Sequence, residues 1–182
     1  MSKDQCLISI NGFNSTIENL SSFISITKAE DFITNKVLDI EIAKSENAQR
    51  INLTLNSSST DLIDFEINLT VNEGAILEFV DESSYSNNSN IRLITQLHKN
   101  SCFELYKLNS YNNENTNKFY HNCSLLENST FKDYSFSNGS KENFSKTIIN
   151  LNEVNSRYLG SGVSINNSTN SDTEIEIRHN TK

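Results

Sequence analysis

At 182 residues the chain can bury one core unaided, and its net charge of −8, with fifteen basic residues scattered along it, is the wrong sign for a nucleic-acid or anionic-membrane surface. Apolar residues make up only 35% and proline is absent, so beyond five glycines the turns fall to Asn, Asp and Ser, which bond their own backbone and accept left-handed conformations. No run of about 18 apolar residues is present to cross a membrane, and Met1-Ser2-Lys3-Asp4-Gln5-Cys6 lacks the apolar core of a signal peptide, which points to a cytoplasmic protein.

The chain opens with Cys6-Leu7-Ile8-Ser9-Ile10, a short strand running into Asn11-Gly12, with Phe13 to Ile17 as the returning arm of a hairpin. Leu20 to Thr34 mixes polar and apolar residues, with one or two turns of helix expected over Lys28 to Ile33. Phe32 to Ala43 reads equally well as an amphipathic helix or a strand. Ser45 to Ala48 is a loop, Ile51 to Leu55 an alternating strand, and Asn56 to Thr60 a polar loop.

From residue 64 onward the chain repeats itself. Alternating strands start at Phe65, Ile91, Phe119 and Thr147, with a partial copy at Thr173; spacings along the first four are 26, 28 and 28 residues. Second strands start at Ile76, Phe103, Phe131 and Tyr158, after corners at Asn72-Glu73-Gly74, Lys99-Asn100-Ser101, Glu127-Asn128-Ser129 and Asn155-Ser156. Self-similarity at this period marks a stacked-repeat architecture, and period-two alternation sends one face of each strand inward. The alternative is an antiparallel sandwich, which gives no reason for corners to recur at fixed spacing. The expected fold is therefore all-β: a right-handed parallel β-helix with coils of about 26–28 residues. Residues 1–50 form an N-terminal strand, hairpin and irregular segment; residues 51–182 form a β-helix core that is incomplete at its C-terminal end. Asn72, Asn100, Asn128 and Asn155 are expected to form a ladder of side-chain amides.

Groups able to do chemistry are few. Cys6, Cys102 and Cys123 form no metal spacing and read as free thiols in a reducing compartment. His121 lies two residues from Cys123, so alternation puts both on one strand face, as a nucleophile and base, half a metal site, or an ordinary buried pair. His98 stands at a corner and His179 at the terminus, both expected in solvent. The acidic pairs Asp81/Glu82, Glu174/Glu176 and Glu30/Asp31 invite a glycosidase or lyase reading, but Glu174 and Glu176 fall on the outward side of an Ile175/Ile177 alternation. No catalytic residue and no metal ligand is assigned, and cofactor contacts stay unassigned.

Several phrases resemble the SufB/SufD family of iron–sulfur cluster assembly scaffolds, and SufD more than SufB. Leu69-Thr70-Val71-Asn72-Glu73-Gly74-Ala75-Ile76-Leu77-Glu78-Phe79 is similar to the phrase opening that family's β-helical core. Cys123 to Phe131, Leu159-Gly160-Ser161-Gly162-Val163 and Asp172 to Asn180 are similar to its later coils, and Cys6 to Phe13 to its short strand and glycine turn. The resemblance implies a non-catalytic subunit pairing with a SufB-like partner, with the iron–sulfur cluster handled by the complex. It implies contact with a SufC-like ATPase only through a C-terminal helical domain that does not fall within these residues, and no nucleic-acid or membrane partner. None of the family's cluster-handling residues maps onto this sequence. The alternative function is a secreted or surface β-helix acting on or binding polysaccharide.

Overall fold

The computed structural model describes residues 5–11, 14–28, 37–56, 62–85, 87–111, 115–139, 142–165 and 170–180, and all the regular structure among them is β. The strands are β1 (Gln5–Asn11), β2 (Asn14–Glu18), β3 (Ile24–Lys28), β4 (Val37–Ile42), β5 (Gln49–Asn56), β6 (Ile63–Val71), β7 (Ile76–Asp81) and β8 (Ser84–Tyr85). They continue as β9 (Ser89–Leu97), β10 (Cys102–Tyr111), β11 (Thr116–Leu125), β12 (Thr130–Asn138), β13 (Glu142–Leu151), β14 (Arg157–Ile165) and β15 (Asn170–His179).

Two sheets face each other. One runs β14-β12-β10-β7-β5-β1-β2, with β8 beside β10 and β5; the other runs β15-β13-β11-β9-β6-β4-β3. From β4 upward the strands alternate between the sheets along the chain, apart from β8, which follows β7 in the same sheet, and the pairings between these coils are all parallel, which makes the expected β-solenoid. The lower end is built differently. β2 pairs β1 and β3 pairs β4 antiparallel, so the base of each sheet ends on a hairpin-like edge rather than another coil.

The N-terminal expectations resolve accordingly. The Cys6 strand and its returning arm form, with Ile8 opposite Ile17, although Gly12 and Phe13 lie outside the described residues. Lys28 ends a strand instead of starting a helix, and residues 29–36 lie outside the described residues. The ambiguous stretch up to Ala43 is a strand from Val37 to Ile42, whose buried residues alternate with exposed ones.

Register refines the repeat. Phe65 pairs Ile91, Ile91 pairs Phe119, Phe103 pairs Phe131 and Phe131 pairs Tyr158, as spacing indicated. Phe119, however, pairs Ser145, and Thr147 pairs His121, two residues from the expected match. Phe103 pairs Leu77, so Ile76 falls on the outward face. The two-residue slip at Thr147 arises because period-two alternation fixes which face a residue takes but not its position along the strand, whereas the one-residue slip at Ile76 exchanges the faces because Ile76 and Leu77 are both apolar and alternation does not choose between them.

Corners explain the composition. Asn100, Asn128 and Asn155 have φ of 59°, 55° and 59°, and Gly74 has 68°. Each is the third residue of a four-residue turn closed by Ser101, Ser129, Ser156 or Ala75 donating its backbone N–H to the carbonyl three residues back. The serine hydroxyls reinforce those carbonyls at 2.6, 2.7 and 2.8 Å. Asn72 is not part of the ladder; it donates to Glu41, and Gly74 takes the left-handed position in that coil. Glycine and asparagine are the residues that tolerate this conformation at least cost.

Candidate functional site

In the lower coils the lumen is an ordinary apolar core. Ile51, Phe79 and Leu105 stack up one sheet, and Phe65 and Ile91 up the other, all buried. Higher up, the same inward columns turn polar. The Leu105 column continues to Asp133 and Gly160; the Leu53 column runs through Asp81 and Lys107 to Ser135 and Gly162. Facing them, Leu93 is followed by His121, Thr147 and Ile175, and Thr95 by Cys123 and Ile149.

The charged members are sealed in. Lys107 is 7% exposed, Asp133 6% and Asp81 4%. Lys107 Nζ lies 3.4 Å from both carboxylate oxygens of Asp133 and 4.5 Å from the centroid of the Phe119 ring. Ser83 Oγ donates to Asp81, and with its amide nitrogen turned inward Asn109 donates to the same carboxylate at 3.3 Å. Burial pushes the Asp81 carboxyl up to about 6, against the opposing pull of those two hydrogen bonds and of Lys107.

His121 and Cys123 share the inward face, as alternation requires, and both are buried. His121 Nε2 pairs with Thr95 Oγ1 at 3.0 Å, and Nδ1 has no hydrogen-bond partner among the described residues, so the ring is not bonded to the thiol. Edge contacts with Phe103, Phe119 and Phe131 enclose the imidazole. Desolvation, helped by Lys107, holds its pKa well below the usual histidine range, and desolvation pushes the Cys123 thiol well above the usual cysteine range. With no hydrogen bond from thiol to imidazole, the thiol held protonated and the imidazole a weakened base, the pair lacks the thiolate–imidazolium couple that nucleophilic catalysis by cysteine uses. Burial also raises Cys6 and the half-buried Cys102. Among the described residues no three of His, Cys, Asp and Glu converge to hold a metal.

Asp81 points into the lumen while Glu82 is exposed. Glu174 and Glu176 lie outside, bound to Lys146 and Arg178. Glu30 and Asp31 lie outside the described residues.

Above the Lys107–Asp133 pair the lumen is hollow. A cavity of about 370 Å³ sits between β12 and β14 on one side and β13 and β15 on the other. It exists because inward positions that carry Leu and Phe below carry Ser135, Ser145, Gly160 and Gly162 here. Tyr158 folds its hydroxyl over Gly160, where a Cβ would collide with it. That hydroxyl has no hydrogen-bond partner among the described residues, and burial pushes its pKa up to about 12.

Sequence reasoning missed Lys107, Asp133 and Tyr158, although a signal was present. Counting inward from Phe103 gives Leu105, Lys107 and Asn109 inside, with Tyr106 and Leu108 outside. Counting from Phe131 likewise puts Asp133, Ser135 and Ser137 inside, with Tyr134 and Phe136 outside. The apolar phase inverts partway along both strands, and that inversion is the mark of a polar lumen. No family model, curated protein or solved structure matches this chain.

Proposed function

We propose that this chain is a SufD-like scaffold subunit of iron–sulfur cluster assembly, not itself an enzyme, which presents its β-solenoid to a SufB-like subunit. The observation that carries the reading is where the family-like phrases fall. Val71-Asn72-Glu73-Gly74-Ala75 and Leu126-Glu127-Asn128-Ser129-Thr130 are two equivalent corners in different coils, and Asp172 to Asn180 covers most of β15. A solenoid joined end to end also suits the geometry, since β14 and β15 each have one edge with no strand partner among the described residues. Such an edge accepts a strand from a partner through main-chain hydrogen bonds. In this reading cluster chemistry belongs to the cytoplasmic complex and no cluster is bound by this chain. A SufC-like ATPase joins through a domain outside these 182 residues. Co-purification with a SufB homologue and a SufC homologue, offered separately, tests it. Capture of SufB but not SufC is the expected result; a chain that ignores SufB overturns the reading.

A further inference from the structure

The lumen cavity is a built site whose lining selects its ligand. Its floor carries one positive and one negative group, Lys107 and Asp133, each more than nine-tenths buried. Their contacts are long, 3.4 Å to either oxygen, and Asp133 Oδ1 has no hydrogen-bond partner among the described residues. An ammonium carries three donors and a carboxylate about four acceptor positions, so both residues keep unused hydrogen-bonding capacity beside the cavity they line. The Tyr158 hydroxyl is a third under-used polar group, and the Phe119 ring supplies an apolar wall.

We propose that this cavity binds a small uncharged polyol, the size of one six-membered ring, whose hydroxyls accept from Lys107 and donate to Asp133. Electrostatics selects the neutral class. An anion would meet Asp133 and, one coil below Lys107, Asp81; a cation would meet Lys107. An apolar molecule would strip these groups of water without replacing their hydrogen bonds. A polyol hydroxyl both donates and accepts, so it serves either partner, and the carbon face of the ring packs on Phe119. The volume of about 370 Å³ is at the small end of ligand sites. Entry is past β15, whose inward Thr173 and Ile175 are exposed. This inference is independent of the scaffold reading: it concerns the lumen, whereas partner capture reads the strand edges.

Saturation-transfer NMR on the 182-residue chain, with myo-inositol, acetate and methylammonium as probes, tests it. Transfer to myo-inositol alone is expected. It should be lost in Ser145→Leu and in Thr173→Leu, each of which fills the cavity from the second sheet, and kept in Leu108→Ser on the outer face. Thr173 lies in the exposed last strand, so its variant keeps the coils beneath it, as circular dichroism would register. Absence of transfer to myo-inositol, transfer as strong to either ion, or transfer that survives in folded Thr173→Leu overturns the proposal.

Discussion

Asn128 sits one coil above Asn100 and donates its side-chain Nδ2 to Asn100 Oδ1 at 3.2 Å; Asn155, one coil higher, donates to Asn128 at 3.1 Å. Each of these residues also holds the left-handed corner of its own coil. The side chain therefore does two jobs, tolerating a backbone that alanine resists and tying neighbouring turns together. Asn128→Ala should destabilise the chain by about 2 kcal/mol, from left-handed strain and lost amide bonds. Asn128→Gly, which keeps the backbone freedom, should cost about half as much. Urea unfolding midpoints of the two variants separate these contributions.

Parallel register also sorts the outer charges. Arg50 pairs Glu78, Glu66 pairs Arg92, Glu104 pairs Lys132 and Lys146 pairs Glu174, each between strand neighbours in register. Reversing one member, Lys132→Glu, should cost about 1 kcal/mol by facing Glu104 with a like charge while its other neighbour is Leu159, and adding Glu104→Lys should restore stability. A double-mutant cycle in thermal unfolding checks it; additivity would mean the two are not neighbours.

The Lys107–Asp133 pair should behave differently, because each group is more than nine-tenths buried and the stem and neighbours of the other leave little room to resolvate a lost partner. Lys107→Met strands a buried carboxylate and should cost about 3–5 kcal/mol, whereas Lys107→Met with Asp133→Leu should recover most of that loss. Equilibrium denaturation of the single and double variants supplies the measurement.

Asp81 gives the fold a pH dependence whose sign follows from burial. Its carboxyl rises from 3.8 to about 6 on folding, so between those values the folded state binds more protons than the unfolded state. Stability is then greatest below the lower value, falls as pH rises through the window, and is flat above it. The full span is about 3 kcal/mol from 1.36 kcal/mol per unit. Asp81→Asn should remove this slope; a denaturation series from pH 3.5 to pH 7 would show it as the difference from the parent chain, and an unchanged slope would assign it to other groups.

Much of the solenoid was legible because its two signals are local. Alternation and the corner triplets are written in consecutive residues, and they located most of the strands and the correct register at Phe65, Phe103 and Phe131. Of the stretch read as helix from Lys28 to Ile33, only Lys28 is among the described residues, and it ends a strand because it pairs antiparallel with Leu38, a pairing absent from the repeat. The polar lumen was hidden for another reason. A lysine or aspartate in a strand is read as outward by default, and only the phase set by a neighbouring corner shows that Lys107 and Asp133 point inward. Asn72 looked like its counterparts at the corners, but left-handed φ falls two residues later, on Gly74.

The stacking itself is tested most directly by interstrand NMR contacts between β10 and β12 in an isotope-labelled chain. Parallel, in-register coils require contacts at a constant separation of 28 residues, Cys102 with Thr130, Glu104 with Lys132 and on to Ser110 with Asn138. Contacts in which one residue number rises as the other falls would mean antiparallel neighbours, and would contradict the solenoid and everything placed inside it.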